Sequence, residues 1–76
     1  MIETKIKLDK FSDVQDFVKL CVECPGEVSV SSGRWVVSGK SIMGIYSLDL
    51  SKDLNLEIDG DIPLVVREGM KKFIVN

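Results

Sequence analysis

The chain contains no histidine. Without an imidazole there is no Ser-His or Cys-His nucleophile pair, no histidine metal ligand and no side chain ordinarily poised as a base near neutral pH. Those routes to catalysis are closed, and a non-enzymatic role is the expectation. Cysteine is nearly as scarce, with Cys21 and Cys24 of "CVEC" the only two. A structural zinc site takes four Cys or His ligands, so a single chain of this composition cannot complete one. Thioredoxin-type thiols gain reactivity at a helix amino terminus, whereas these fall near a carboxyl end, where the dipole disfavours thiolate. Cys21 is expected in the core and Cys24 at a helix end. No metal and no cofactor is expected.

An excess of positive charge is also missing. Ten Lys and Arg residues stand against twelve Asp and Glu, and the net charge is -2. The basic residues are dispersed, so they make no field for phosphate backbones, and nucleic acid is not an expected partner. No apolar run approaches the roughly 18 to 20 residues of a membrane span. The opening "MIETKIKLDK" has no apolar signal core. A soluble, cytoplasmic protein without membrane insertion is the expectation.

What is present fits one domain over residues 1–76, with 45% hydrophobic residues. At this size folding removes only about 60 to 65% of the unfolded chain's surface from water, so the core is thin. In "IETKIKL", Ile2, Thr4, Ile6 and Leu8 alternate with Glu3, Lys5 and Lys7, the period of a half-buried strand. Ser12 followed by Gln15 has the spacing of a capping box, and Val14, Phe17, Val18 and Cys21 recur at helical intervals. A helix from Asp13 to about Glu23 is predicted, stopped by Pro25 and Gly26. "EVSVSSGRWVVSG" reads as a hairpin turning at Ser31 to Gly33, with Trp35 to Val37 on its outer strand.

Ser41 is a plausible N-cap for a short helix reaching about Ser47. Leu54, Leu56 and Ile58 alternate as a fourth strand. After Asp59-Gly60-Asp61, the residues Val66, Met70 and Phe73 share a helical face behind Pro63. Val65, Val66 and Gly69 lower the helix propensity there. The order is β, α, β, β, short α, β, α. The predicted class is α+β: an open-faced β-sandwich with a four-stranded antiparallel sheet and helices on one face.

The segment "GKSIMGIYSLDLS" resembles the region around the regulatory serine of HPr, the phosphocarrier of the bacterial sugar phosphotransferase system. Lys40, Ser41, Ile42, Met43 and Gly44 reproduce the family's Lys-Ser-Ile-Met-Gly core, and Phe17-Val18 resembles a pair in its first helix. The resemblance implies the HPr-like fold over essentially the whole chain. It also exposes a departure. The family carries a phosphoryl-accepting histidine and an arginine at the start of the first helix. Laid back from Phe17 without a gap, these positions fall on Lys10 and Ser12, and Asp13 stands where the family has proline. A lysine near pKa 10.4 is only about 0.04% neutral at pH 7, so Lys10 is a poor substitute nucleophile. Helix amino termini attract phosphate, but Asp13 puts negative charge there and Ser12 is expected to satisfy one donor. The phosphocarrier site is therefore read as degenerate.

The serine half of the family's chemistry remains. By resemblance Ser41 would be the acceptor of an ATP-dependent HPr kinase, with Ile42, Met43 and Tyr46 as a partner-docking patch and Lys40 as a nearby charge partner. A phosphate there would add about -1.5 to -2 charges beside an apolar surface. The competing reading makes Ser41 only a structural cap, with its apolar neighbours partly core. The implied partners are proteins of the phosphotransferase or catabolite-control type. Two other readings stay open: a divergent phosphocarrier with an unexpected acceptor, and a small-molecule-sensing module of the ACT type. Asp59 and Asp61 lack the spacing of a calcium loop and read as a turn. Trp35 beside Arg34 lacks the aromatic-rich signature of RNA-binding sheets and is expected to shield the hairpin. Glu23 and Glu57 show no catalytic partner.

Overall fold

The computed structural model describes residues 2–75. Along the chain run β1 (Ile2–Ile6), α1 (Phe11–Val22), β2 (Val28–Ser32), β3 (Trp35–Ser38), α2 (Ile42–Tyr46), β4 (Leu54–Ile58), α3 (Leu64–Met70) and β5 (Ile74–Val75). All strand pairs are antiparallel, in the spatial order β3-β2-β4-β1-β5.

Register follows from the alternation of apolar residues. Ile6 lies opposite Leu54, Thr4 opposite Leu56 and Ile2 opposite Ile58. Val30 and Val28 continue those rows into β2. A slip of one residue would turn every one of these side chains into water. The buried row faces Val14, Phe17 and Cys21 of α1, Ile45 of α2, and Val66 and Met70 of α3. On the other face Glu3, Lys5, Asn55 and Glu57 are exposed. The result is the expected sheet with helices on one side and solvent on the other.

Three details of the expectation are corrected. The sheet has a fifth strand, because Phe73 does not prolong α3. Helix α3 ends at Met70, and Phe73 is buried in the turn after it, meeting the Phe17 ring edge to face at 5.9 Å. The Lys7 N–H donates to the Phe73 carbonyl at 2.8 Å, and Ile74 and Val75 then pair with Ile6 and Lys5. The anchored ring delivers the following residues to the sheet edge. Trp35 does not shield the hairpin: it is 73% exposed at the turn end of the edge strand β3, opposite Ser32.

The hairpin turns later than the expected Ser31 to Gly33: Ser31 and Ser32 stay in β2, paired with Val36 and Trp35, and the turn is Gly33-Arg34. Gly33, at φ 59°, closes the β2–β3 hairpin, and Gly60, at φ 79°, follows β4. Both need the left-handed region that glycine enters without steric cost.

Candidate functional site

Helix α1 begins two residues earlier than its apolar pattern predicts, and the reason is Asp13. Its Oδ2 accepts from the backbone N–H of Lys10 at 3.1 Å and of Asp9 at 3.2 Å. The Asp13 N–H in turn donates to the Lys10 carbonyl at 3.0 Å. Lys10, extended at φ -108° and ψ 160°, is therefore the N-cap, and Ser12 lies inside the first turn, exposed. The sequence reading gave the capping role to Ser12; the structure gives it to the carboxylate that reaches back from Asp13. These backbone N–H groups, from Lys10 first and Asp9 second, hold the Asp13 carboxyl below its ordinary pKa. The amino end of α1 thus carries its own internal anion.

This early start places Phe11 as the first residue of the helix. Its ring stacks on Tyr46, the last residue of α2, with centroids 5.5 Å apart and planes 11° from parallel. Partial desolvation raises the Tyr46 hydroxyl pKa. Phe11 is still 60% exposed, and Met43, one turn before Tyr46, is 76% exposed. Phe11, Met43 and Tyr46 make an apolar surface between the start of α1 and the outer side of α2. Phe11 escaped the sequence reading because it lay outside the expected helix.

The loop entering α2 is fixed from several directions. The Gly39 N–H donates to the Val28 carbonyl at 2.8 Å, and that of Ser41 to Ser38 O at 3.1 Å. The Lys40 ammonium donates to the Cys24 carbonyl at 2.8 Å, which ties this loop to the end of α1. Ser41 is the N-cap of α2: its Oγ accepts from the Gly44 N–H at 3.1 Å, and the residue is exposed. Ile42 is half-buried and packs against the core. The structure therefore brings Tyr46 together with Phe11, leaves Met43 exposed one turn away on α2, turns Ile42 inward and engages Lys40 elsewhere.

Cys21 and Cys24 are both buried and free. Burial, with the neighbouring Cys24 second, pushes the Cys21 thiol up to about 12, and burial also raises that of Cys24. Neither is an activated thiolate. Among the described residues no three His, Cys, Asp or Glu side chains converge as a metal site, and no helix is long and apolar enough to cross a membrane.

No protein-family model and no curated protein matches this chain. Among solved structures, the chain is similar to the crystal structure of HPr-C-His from Thermoanaerobacter tengcongensis. The two share 25% sequence identity over 95% of this chain and 89% of that one, with a TM-score of 0.76. The fold is HPr-like.

Proposed function

We propose that this chain is a regulatory or accessory relative of HPr, a protein that acts by binding and not by relaying a phosphoryl group. Its partners would be proteins of the phosphotransferase or catabolite-control type in the cytoplasm, and Ser41 would be the residue through which an HPr kinase modulates that binding. The observation that carries this reading is the amino end of α1. The Asp13 carboxylate, accepting from the backbone N–H groups of Asp9 and Lys10, sets a fixed negative charge at the place where an incoming phosphoryl group would sit, in a chain that has no imidazole. An anion bound there would be repelled by this internal charge of the same sign.

Binding is supported by the neighbouring surface. Rigid aromatic side chains and methionine are favoured anchors of protein interfaces, and Phe11, Tyr46 and Met43 are exposed together. Ser41 stands at the amino end of the helix that carries two of the three. A phosphate on its Oγ would offer further acceptor oxygens to the amino end of α2 and place charge beside the apolar surface.

The test has two arms, read by intact-protein mass spectrometry. Incubation with phosphoenolpyruvate and the first enzyme of the phosphotransferase system is expected to leave no phosphoryl adduct; a transferable adduct would overturn the binding-only reading. Incubation with ATP and an HPr kinase is expected to add one phosphate that Ser41→Ala abolishes. Incorporation unaffected by that substitution would exclude Ser41 as acceptor.

A further inference from the structure

On the side of the fold where α3 meets the end of the sheet, β5 pairs only with Lys5 and Ile6 of β1, so the first half of β1 extends past it. A groove of about 350 Å³ opens there. Its walls include Ile2, Ile58, Ile62, Leu64 and Ile74. None of Lys10, Phe11, Ser12, Ser41, Met43 or Tyr46 lines it. Leu64 is 72% exposed and Ile74 is 38% exposed, so the rim of this aliphatic surface is left in water, while Ile58 is only 2% exposed.

The polar groups on its rim are asymmetric. Arg67, Glu68 and Lys71 of α3 line the groove, and Lys71 pairs with Glu68 at 3.2 Å. That leaves Arg67, which makes no ion pair among the described residues. An aliphatic trough with one uncommitted guanidinium at its edge matches a molecule with an apolar tail and an anionic head. A guanidinium also presents two parallel donors to a carboxylate. Ligand pockets span about 300 to 1,000 Å³, so this one lies at the small end and suits one tail, not two.

We propose that this groove binds a monomeric medium-chain fatty acid, its tail along Ile2, Ile58, Ile62, Leu64 and Ile74 and its carboxylate on Arg67. A polar tail would be desolvated against these aliphatic walls without partners, and a cationic head would be repelled by Arg67.

The probe is decanoate, kept below the concentration at which it forms micelles and titrated into the ¹⁵N-labelled chain while amide shifts are followed. Saturable shifts confined to Ile2, Ile62, Leu64, Arg67 and Ile74 are expected. Octanoate should bind more weakly, because each methylene moved out of water contributes roughly fourfold in affinity. Arg67→Glu should weaken decanoate binding at least tenfold, while Arg67→Lys keeps most of it. Arg67 is exposed, and a native-like spectrum of each variant verifies its fold. Equal affinity in Arg67→Glu would overturn the proposal. So would shifts centred on Phe11 and Tyr46, or tighter binding of a cationic amphiphile of the same length. Movement of the groove resonances with protein concentration alone would assign the groove to a second copy of the chain instead.

Discussion

The ring of Phe11 lies flat against that of Tyr46, joining the first residue of α1 to the last residue of α2. Each ring covers part of the other while leaving an outer edge in water, so the contact both braces the two helices and shapes the surface they present. Phe11→Ala and Tyr46→Ala should therefore be non-additive, the double variant losing less stability than the sum of the singles. Denaturant unfolding of the four proteins measures this. Strict additivity would show that the stack contributes no coupling.

Ser41→Ala removes the acceptor for the Gly44 N–H and should destabilise the protein by about 1 kcal/mol, the usual cost of deleting an N-cap. For a domain of this size that corresponds to a fall in Tm of about 4–8 °C. Ser41→Asp restores a capping oxygen and should recover most of the loss, although it cannot accept a phosphate. Thermal unfolding of the pair thus separates the capping role of this side chain from any role in modification.

Asp13 should give the fold a specific sensitivity to acid. Its folded pKa lies below the ordinary 3.8 because backbone N–H groups of Lys10 and Asp9 donate to the carboxylate. The stabilisation is present above the unfolded value and is lost as pH falls from about 3.8 through the lower folded value. Asp13→Asn should flatten that part of the stability curve. An unchanged acid limb would mean that other carboxylates govern it.

The two thiols should behave as core residues. With Cys21 and Cys24 buried, iodoacetamide at pH 8 should label neither in the native protein and both in denaturant. The raised Cys21 pKa favours the folded state below the ordinary value of 9.0, and this contribution is lost as pH rises through about 12. A declining alkaline limb that Cys21→Ala shallows is the expected result.

Much of this architecture was legible in the sequence because short-range rules govern it. Period-two alternation located β1 and β4, and Gly33 marked the hairpin turn by the backbone conformation it permits. Ser41 was readable as a cap because its acceptor and donor are three residues apart. Helix α3 formed despite Val65, Val66 and Gly69, since burial of Val66 and Met70 outweighs modest differences in propensity.

The candidate site was legible only in part. Met43 and Tyr46 stood out as apolar residues beside a serine, but Phe11 did not, because nothing local couples it to a residue of another helix. Ser12 followed by Gln15 imitated a capping box, while the working cap came from a side chain reaching back from Asp13. Lys40 looked available as a charge near Ser41 until the fold brought the Cys24 carbonyl to its ammonium.

By itself, then, the sequence determined the order of elements, the face of each that is buried and the lack of an imidazole, since these depend on spacing and residue chemistry within a few positions. The tertiary structure alone decided that Phe73 would pull a fifth strand onto β1, that Phe11 would meet Tyr46 and that α3 would leave an aliphatic groove edged by Arg67. Those outcomes depend on side chains far apart along the chain competing for one thin core, which is settled only when the helices and the sheet pack together.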